Sequence, residues 1–290
     1  MREPLPLIYP KVKVTFSEII HFLENHGISK NNIRIREYQR FIKHMDDGDV
    51  DQHYEREQII FLWRELHEVL FVFDTILKNN IPLPSDLIKK SLEGQPLPTG
   101  NAEKDKSRNY LLELRASIYF LRLGYQIHMS SDCDIIAENK KDIYFIECKR
   151  LYSIKKVDLR ITEAYEQLQK RFDDINTKKN KRGIIWADPS PIMLRDVFMY
   201  SAFSRGGAQQ AVRYDLLEFS KRYITKSSQY TDKRIFSIVL QMVWPSYTGS
   251  KDGIVTGFTS FVMPLHKKIG FFNMVRTKSL FDELFKIEEA

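Results

Sequence analysis

The chain has 290 residues, of which 43% are hydrophobic, and it carries a formal net charge of +7. That apolar content can bury one large core or two smaller ones. No run of uncharged apolar residues approaches the length of about 18 needed to span a membrane, which argues against a membrane protein. Residues Met1–Pro10 lack the apolar segment of a signal peptide, so we expect a soluble, cytoplasmic protein.

Residues 1–98 are predicted to be mainly helical. Apolar residues recur at helical spacing in three segments, Ser17–Asn25, Arg34–Asp46 and Gln52–Lys78. Proline and glycine then become frequent, and we predict a domain boundary near residue 99, with a second domain over 99–290. The helical region could serve as a homodimer interface or as a docking site for a protein partner.

The second region opens with a predicted helix over residues 105–123, which carries Glu113 within an apolar stretch and ends at Gly124. A short strand, Tyr125–Met129, follows it. Residues 132–150 are then predicted to form a β-hairpin, in which an apolar strand, a polar turn at Glu138–Asp142 and a longer apolar strand follow one another.

The hairpin brings charged side chains together. Glu147 and Lys149 are two residues apart on one strand and therefore share a face, whereas Cys148 points the other way. Pairing across the turn sets Asp134 opposite or nearly opposite Glu147. Two carboxylates repel each other across a strand pair, so this arrangement favours a cation between them, and a divalent metal is the simplest candidate.

Both cysteines of the chain, Cys133 and Cys148, lie in this hairpin. The same register predicts that they sit side by side on the face away from the carboxylates, reduced and buried. A zinc site at these cysteines is not expected, because neither a Cys-x-x-Cys spacing nor a nearby histidine completes a ligand set.

The rest of the chain is predicted to extend the same α/β domain. A helix over 162–175 with an amphipathic stripe and a strand over Gly183–Ala187 follow the hairpin. Helical sequence then runs to about Lys226, with an interruption at Gly206 and Gly207. Two strands and a terminal helix complete the prediction, over residues 234–244, 255–265 and 279–287.

The sequence Asp134, then Glu147-Cys148-Lys149 on the next strand, resembles the active-site pattern of the PD-(D/E)xK superfamily of restriction-endonuclease-like nucleases. Cys133 stands where the family's name has proline. The elements over residues 105–187 also follow that family's order. The resemblance implies an α/β fold with a central mixed β-sheet flanked by helices, built on an αβββαβ core.

The resemblance also implies a set of roles. Asp134 and Glu147 would bind Mg²⁺, for which Mn²⁺ can substitute, helped by the backbone carbonyl of Cys148 and, through water, by Glu113. Lys149 would stabilise the transition state. Gln167 would match a glutamine that several of these families carry on the following helix. A surface residue paired with Arg115 or Arg108 is the alternative interpretation of Glu113, and an ordinary solvated side chain that of Gln167.

The implied reaction is hydrolysis of the DNA backbone, in defence against foreign DNA or in DNA repair. The basic excess of the chain lies entirely after residue 100, as expected for a surface that meets phosphates. Candidate phosphate contacts directly follow the motif, namely Arg150, Lys155, Lys156 and Arg160. A second basic run, Lys178–Arg182, is more typical of a solvated surface.

Two other functions compete with a deoxyribonuclease. One is a nuclease-like fold that only binds nucleic acid or a protein, although retention of all three charged motif residues favours the enzyme. The other is a ribonuclease. Elsewhere, His67 and Glu68 resemble part of a zinc-protease helix, but the second histidine is absent and a structural histidine is the better interpretation.

Overall fold

A mixed, open sheet of seven strands, flanked by helices, forms the centre of the fold. The computed structural model describes residues 9–81, 83, 85–99, 105–129, 134–194, 199–202, 204–248, 254–265 and 271–286. The predicted α/β class is therefore confirmed. Among these residues, no helix has the length and apolar character needed to cross a membrane.

Each helical segment predicted from the sequence overlaps a helix of the described ranges, with different bounds. The helices are α1 (Tyr9–Asn25), α2 (Ile33–Asp47), α3 (Val50–His53), α4 (Arg56–Lys78), α5 (Ser85–Leu92), α6 (Lys106–Arg122), α7 (Val157–Asp174), α8 (Ser190–Met193), α9 (Arg205–Tyr223) and α10 (Phe271–Phe285). The strands are β1 (Gln126–His128), β2 (Ile135–Glu138), β3 (Asp142–Arg150), β4 (Asn180–Asp188), β5 (Tyr200–Ala202), β6 (Ile235–Thr248) and β7 (Ile254–Pro264).

Strand order in the sheet is β1-β2-β3-β4-β6-β5, and β7 also pairs with β6. The first three strands are antiparallel neighbours. β3, β4 and β6 run parallel, as does β5 beside β6. Helix α7 connects β3 to β4, as a parallel pair requires a long crossover. The carboxyl ends of β3 and β4 therefore lie side by side, where open α/β sheets commonly bind ligands.

The chain divides into two compact units. One comprises Met1–Arg115, Leu194–Ala208 and Val243–Gly257, and the other comprises Ala116–Met193, Gln209–Met242 and Phe258–Ala290. The first holds α1–α5, and the second holds β1–β4 with α7. The predicted domain boundary near residue 99 is a statement about which parts of the chain fold independently, and it stays a prediction.

A buried charge network holds part of the first unit. Arg34 is fully buried on α2, and its guanidinium donates to Glu65 Oε1 on α4 over 2.9 Å. Arg108 on α6 approaches the same oxygen at 2.7 Å. The Arg34 guanidinium also donates to the backbone carbonyl of Ser91 and to the hydroxyl of Tyr38. One carboxylate thus links three helices in the interior of this unit.

The two faces of the sheet in the second unit are packed by different helices. Phe145 of β3 meets Phe172 of α7 edge-on, with ring centroids 5.5 Å apart. On the opposite face Tyr144 packs against Phe120 of α6 at 5.8 Å. Helix α7 approaches so closely that a Cβ at Gly183 would lie 2.9 Å from the Phe172 ring. Because Phe145 meets α7 and side chains alternate along a strand, the odd-numbered residues of β3 face this helix.

The sequence prediction was wrong at Gly206 and Gly207. They lie in the first turn of α9 rather than interrupting a helix. The Ser204 hydroxyl accepts a hydrogen bond from the Gly207 N–H at 3.2 Å, which satisfies a donor that the helix start leaves free. Strand β5, just upstream, was not predicted, because three residues are too short for a periodicity signal.

Candidate functional site

The motif hairpin forms with the predicted register. Ile135 pairs with Ile146 and Glu138 with Ile143. Continued by one position, this register sets Asp134 opposite Glu147. The turn itself is held by Asn139, whose side-chain oxygen accepts from the N–H groups of Lys141 and Asp142 at 2.8 Å each. This local capping explains why a hairpin could be predicted from sequence.

Asp134 immediately precedes β2, one position before the first paired residue. Its Oδ2 accepts a hydrogen bond from the backbone N–H of Cys148 over 2.6 Å. In an antiparallel pair, the N–H and C=O of one residue face the same neighbouring strand. The Cys148 carbonyl is therefore on the Asp134 side of β3, as the predicted ligand role requires.

Glu147 and Lys149 extend from the face of β3 that also carries Phe145, towards α7. The Lys149 ammonium lies 3.3 Å from Glu147 Oε2. Only 3% of the Glu147 side chain is exposed, whereas 16% of the Lys149 side chain reaches solvent. The hairpin therefore brings together Asp134, Glu147 and Lys149, the three residues of the motif.

The environment disfavours ionisation of both acids. Burial and the nearby Asp134 carboxylate raise the pKa of Glu147 to about 7, although Lys149 opposes them. The pKa of Asp134 is also raised, mainly by burial, although Lys149 and the Cys148 N–H counteract it. One lysine does not balance two carboxylates, so the site lacks the positive charge that would keep both acids ionised at neutral pH.

Helix α7 contributes a positive charge that the sequence analysis did not assign to the site. Arg171, half-buried on α7, lies close enough to lower the pKa of Glu147. Gln167, the residue predicted for this helix, is exposed one turn earlier. Gln167 and Arg171 are four residues apart and therefore share a helix face, and the role expected of Gln167 stays a prediction.

Two predicted residues cannot be joined to this cluster. Glu113 is half-buried on α6 and belongs to the other compact unit, so its water-mediated role stays a prediction. Cys133 lies outside the described residues, and with it the predicted cysteine pair. Cys148 is buried, as expected for it.

The candidate phosphate contacts fall into two groups. The Arg150 guanidinium forms an ion pair with Asp188 of β4 over 3.1 Å, and their side chains are only 6% and 2% exposed. Arg150 thus stabilises neighbouring strand ends, and we leave it out of the phosphate contacts proposed below. Lys155, Lys156 and Arg160 are exposed at the start of α7, so they are available to a ligand.

The histidine on α4 is structural in character. His67 is buried, and burial together with Arg205 and Arg115 lowers its pKa to about 3, so the imidazole is neutral. Glu68 is engaged by Arg115 at 2.7 Å. This supports the structural interpretation of the pair.

Comparison with protein-family models, with curated proteins and with solved structures yields no match.

Proposed function

We propose that the chain is a metal-dependent nuclease that hydrolyses phosphodiester bonds in DNA. The observation that carries this proposal is the convergence of Asp134, Glu147 and Lys149 at the carboxyl end of β3. Two carboxylates and a lysine in this arrangement suit phosphodiester hydrolysis, which needs a divalent cation and a further positive charge near the phosphate.

The resemblance to the PD-(D/E)xK superfamily supports the same activity. The succession α6, β1, β2, β3, α7, β4 has the order of that family's αβββαβ core. The antiparallel hairpin followed by a parallel β3–β4 pair gives this succession a sheet consistent with such a core.

The residues present fit a hard divalent cation. Asp134 and Glu147 supply carboxylate oxygens, and the Cys148 carbonyl lies on the same side. Oxygen ligands of this kind suit Mg²⁺ and Mn²⁺. The raised pKa values of both acids are the second sign of fit, since a bound cation would supply the missing positive charge.

When bound, Mg²⁺ would polarise the phosphodiester and lower the pKa of a coordinated water. Glu147 and Asp134 would hold the cation, and the Cys148 N–H fixes the orientation of the Asp134 carboxylate. Lys149 would orient the attacking water and stabilise the charge that develops on the phosphate oxygens. Arg171 supplies a further positive charge beside Glu147.

The direct test is incubation of the purified chain with supercoiled plasmid, linear DNA and RNA, with Mg²⁺, Mn²⁺ or EDTA. We expect metal-dependent DNA cleavage by the wild type and none by Glu147→Gln, which keeps the shape but removes a ligand charge. Calorimetry should show weaker Mn²⁺ binding by that variant. Glu166→Gln, an exposed change on α7, is the matched control.

Normal Mn²⁺ binding by Glu147→Gln would refute the site. Cleavage of RNA but not of DNA would make RNA the substrate and would leave the assignment of the site residues unchanged. DNA binding without cleavage in any metal would favour a binding module.

Metal affinity should rise with pH. Below about pH 7 a proton occupies Glu147 and competes with the cation, so affinity should increase about tenfold per pH unit there and level off above it. The stability of the metal-free protein should depend on pH in the opposite direction. It should fall as the pH rises, because the buried Glu147 carboxyl is harder to ionise in the folded chain than in the unfolded one. Calorimetric Mn²⁺ titrations across this range, in buffers of differing ionisation enthalpy, count the protons released. An affinity independent of pH would contradict the shift.

DNA binding should depend strongly on salt through the exposed residues at the start of α7. Changing Lys155, Lys156 and Arg160 together to Glu should reduce the slope of log affinity against log salt by about 3. Fluorescence anisotropy at several salt concentrations measures that slope. The same reversal of Lys178, Lys179 and Lys181 is the comparison, and a larger effect there would move the phosphate contacts to that run.

A further inference from the structure

A second cluster of metal-binding side chains lies in the first unit, at the junction of α2 and α3. His44 Nδ1 is 2.8 Å from Asp49 Oδ1, and His53 Nε2 is 3.4 Å from Asp49 Oδ2. The three ligand atoms all lie within 4.8 Å of one another. Among the described residues, these three form the group of histidine and acidic side chains whose possible ligand atoms come this close together.

The backbone explains why residues separated along the chain converge. Helix α2 ends at Gly48, whose φ of 73° lies in the left-handed region that glycine adopts without strain. The Asp49 N–H then donates to the His44 carbonyl at 3.1 Å, which turns the chain back on itself. Asp49 precedes the single turn of α3, so His53, four residues later, lies above it.

The two imidazoles lie beside the same carboxylate. The rings of His44 and His53 are stacked, with centroids 3.7 Å apart and an interplanar angle of 30°. Each has a nitrogen within 3.4 Å of the Asp49 carboxylate, so a single divalent ion can be shared by the three groups.

The dimensions and the donor types favour a specific class of ion. Ligand atoms around tetrahedral zinc, at about 2.0–2.1 Å from the metal, are about 3.3 Å apart, and the three ligand atoms here all lie within 4.8 Å of one another. Imidazole suits Zn²⁺, Ni²⁺ and Cu²⁺, whereas Mg²⁺ and Ca²⁺ prefer oxygen alone. This chemistry differs from that of Asp134 and Glu147.

The cluster is covered on one side and open on the other. Tyr54 packs edge-on against His44, with ring centroids 6.1 Å apart, and the His44 side chain is only 14% exposed. The side chains of Asp49 and His53 are 31% and 38% exposed. An ion can therefore enter from solvent, and water can complete its coordination.

We propose that His44, Asp49 and His53 form a binding site for a late first-row divalent cation, with Zn²⁺ as its physiological type. The site joins the end of α2 to α3. It is separate from the proposed nuclease centre and does not depend on that activity.

The test uses the full chain, stripped with a chelator and desalted. Zn²⁺ is titrated in competition with a chromophoric chelator, and Co²⁺ is followed by its visible absorption, which is strong in four-coordinate sites. We expect one equivalent of Zn²⁺ to bind in Glu147→Gln, in which the proposed nuclease centre has lost a ligand. Affinity should fall in His53→Ala and Asp49→Asn by more than the roughly 10- to 100-fold that loss of a supporting residue costs. His21→Ala, an exposed histidine on α1, should bind as wild type.

Glu147→Gln separates the two sites. Zn²⁺ binding that survives Glu147→Gln and is lost in His53→Ala supports the proposal. Binding that persists when His53→Ala is combined with Glu147→Gln, or that disappears in Glu147→Gln alone, overturns it, as does a wild type that binds no Zn²⁺. Circular dichroism of each metal-free variant shows whether it is folded, and Asp49→Asn preserves shape should His53→Ala fail to fold.

Discussion

Lys149→Ala should lower the rate of plasmid cleavage by about 10² to 10³, the usual cost of removing one group that stabilises developing charge. Metal binding should remain normal or become slightly tighter, because the ammonium 3.3 Å from Glu147 competes with the cation for that carboxylate. Cleavage rates at saturating Mn²⁺ and calorimetric Mn²⁺ affinity, measured on the same preparation, check both parts.

Two further variants make this result specific. Lys149→Arg keeps the positive charge on a planar, larger group and should recover part of the rate. Lys30→Ala, an exposed change in the other unit, should have no effect. A wild-type rate in Lys149→Ala, or loss of Mn²⁺ binding by it, would show that the lysine does not have the proposed role.

Glu65→Gln should destabilise the chain by about 3–5 kcal/mol, as expected when one partner of a buried ion network is removed. Burial alone would raise the pKa of Glu65, but the guanidinium groups of Arg34 and Arg108 hold it below its ordinary value. Glutamine keeps the volume and leaves two buried guanidinium groups without their shared carboxylate. Urea unfolding followed by circular dichroism measures the loss.

An exposed ion pair gives the comparison. Glu163 accepts from Arg160 over 2.8 Å, with side chains 38% and 44% exposed, so Glu163→Gln should cost less than about 1 kcal/mol. A similarly small change for Glu65→Gln would mean that backbone carbonyls such as that of Ser91, rather than the carboxylate, neutralise the buried Arg34.

The sequence alone determined the elements that depend on neighbours in the chain. Helix α2 begins after Asn32, whose side chain accepts from the Arg34 and Ile35 N–H groups, and it ends at Gly48. The hairpin turn is held by Asn139 within three residues. Such interactions involve residues a few positions apart, so they can be predicted from the sequence. The predicted hairpin in turn placed Asp134 close to Glu147.

Tertiary structure decided which side chains surround those elements. Arg150 and Arg160 are both predicted phosphate contacts, yet Arg150 is buried against Asp188, whereas Arg160 is exposed at the start of α7. The difference depends on which strand lies beside β3 and which helix face packs on it, and both are set by contacts between residues distant in the chain. The convergence of His44 and His53 on Asp49 depends likewise on how one left-handed residue redirects two helices. Side-chain type and spacing indicate the available chemistry, but only packing determines which groups meet, because burial energy is shared among many distant residues.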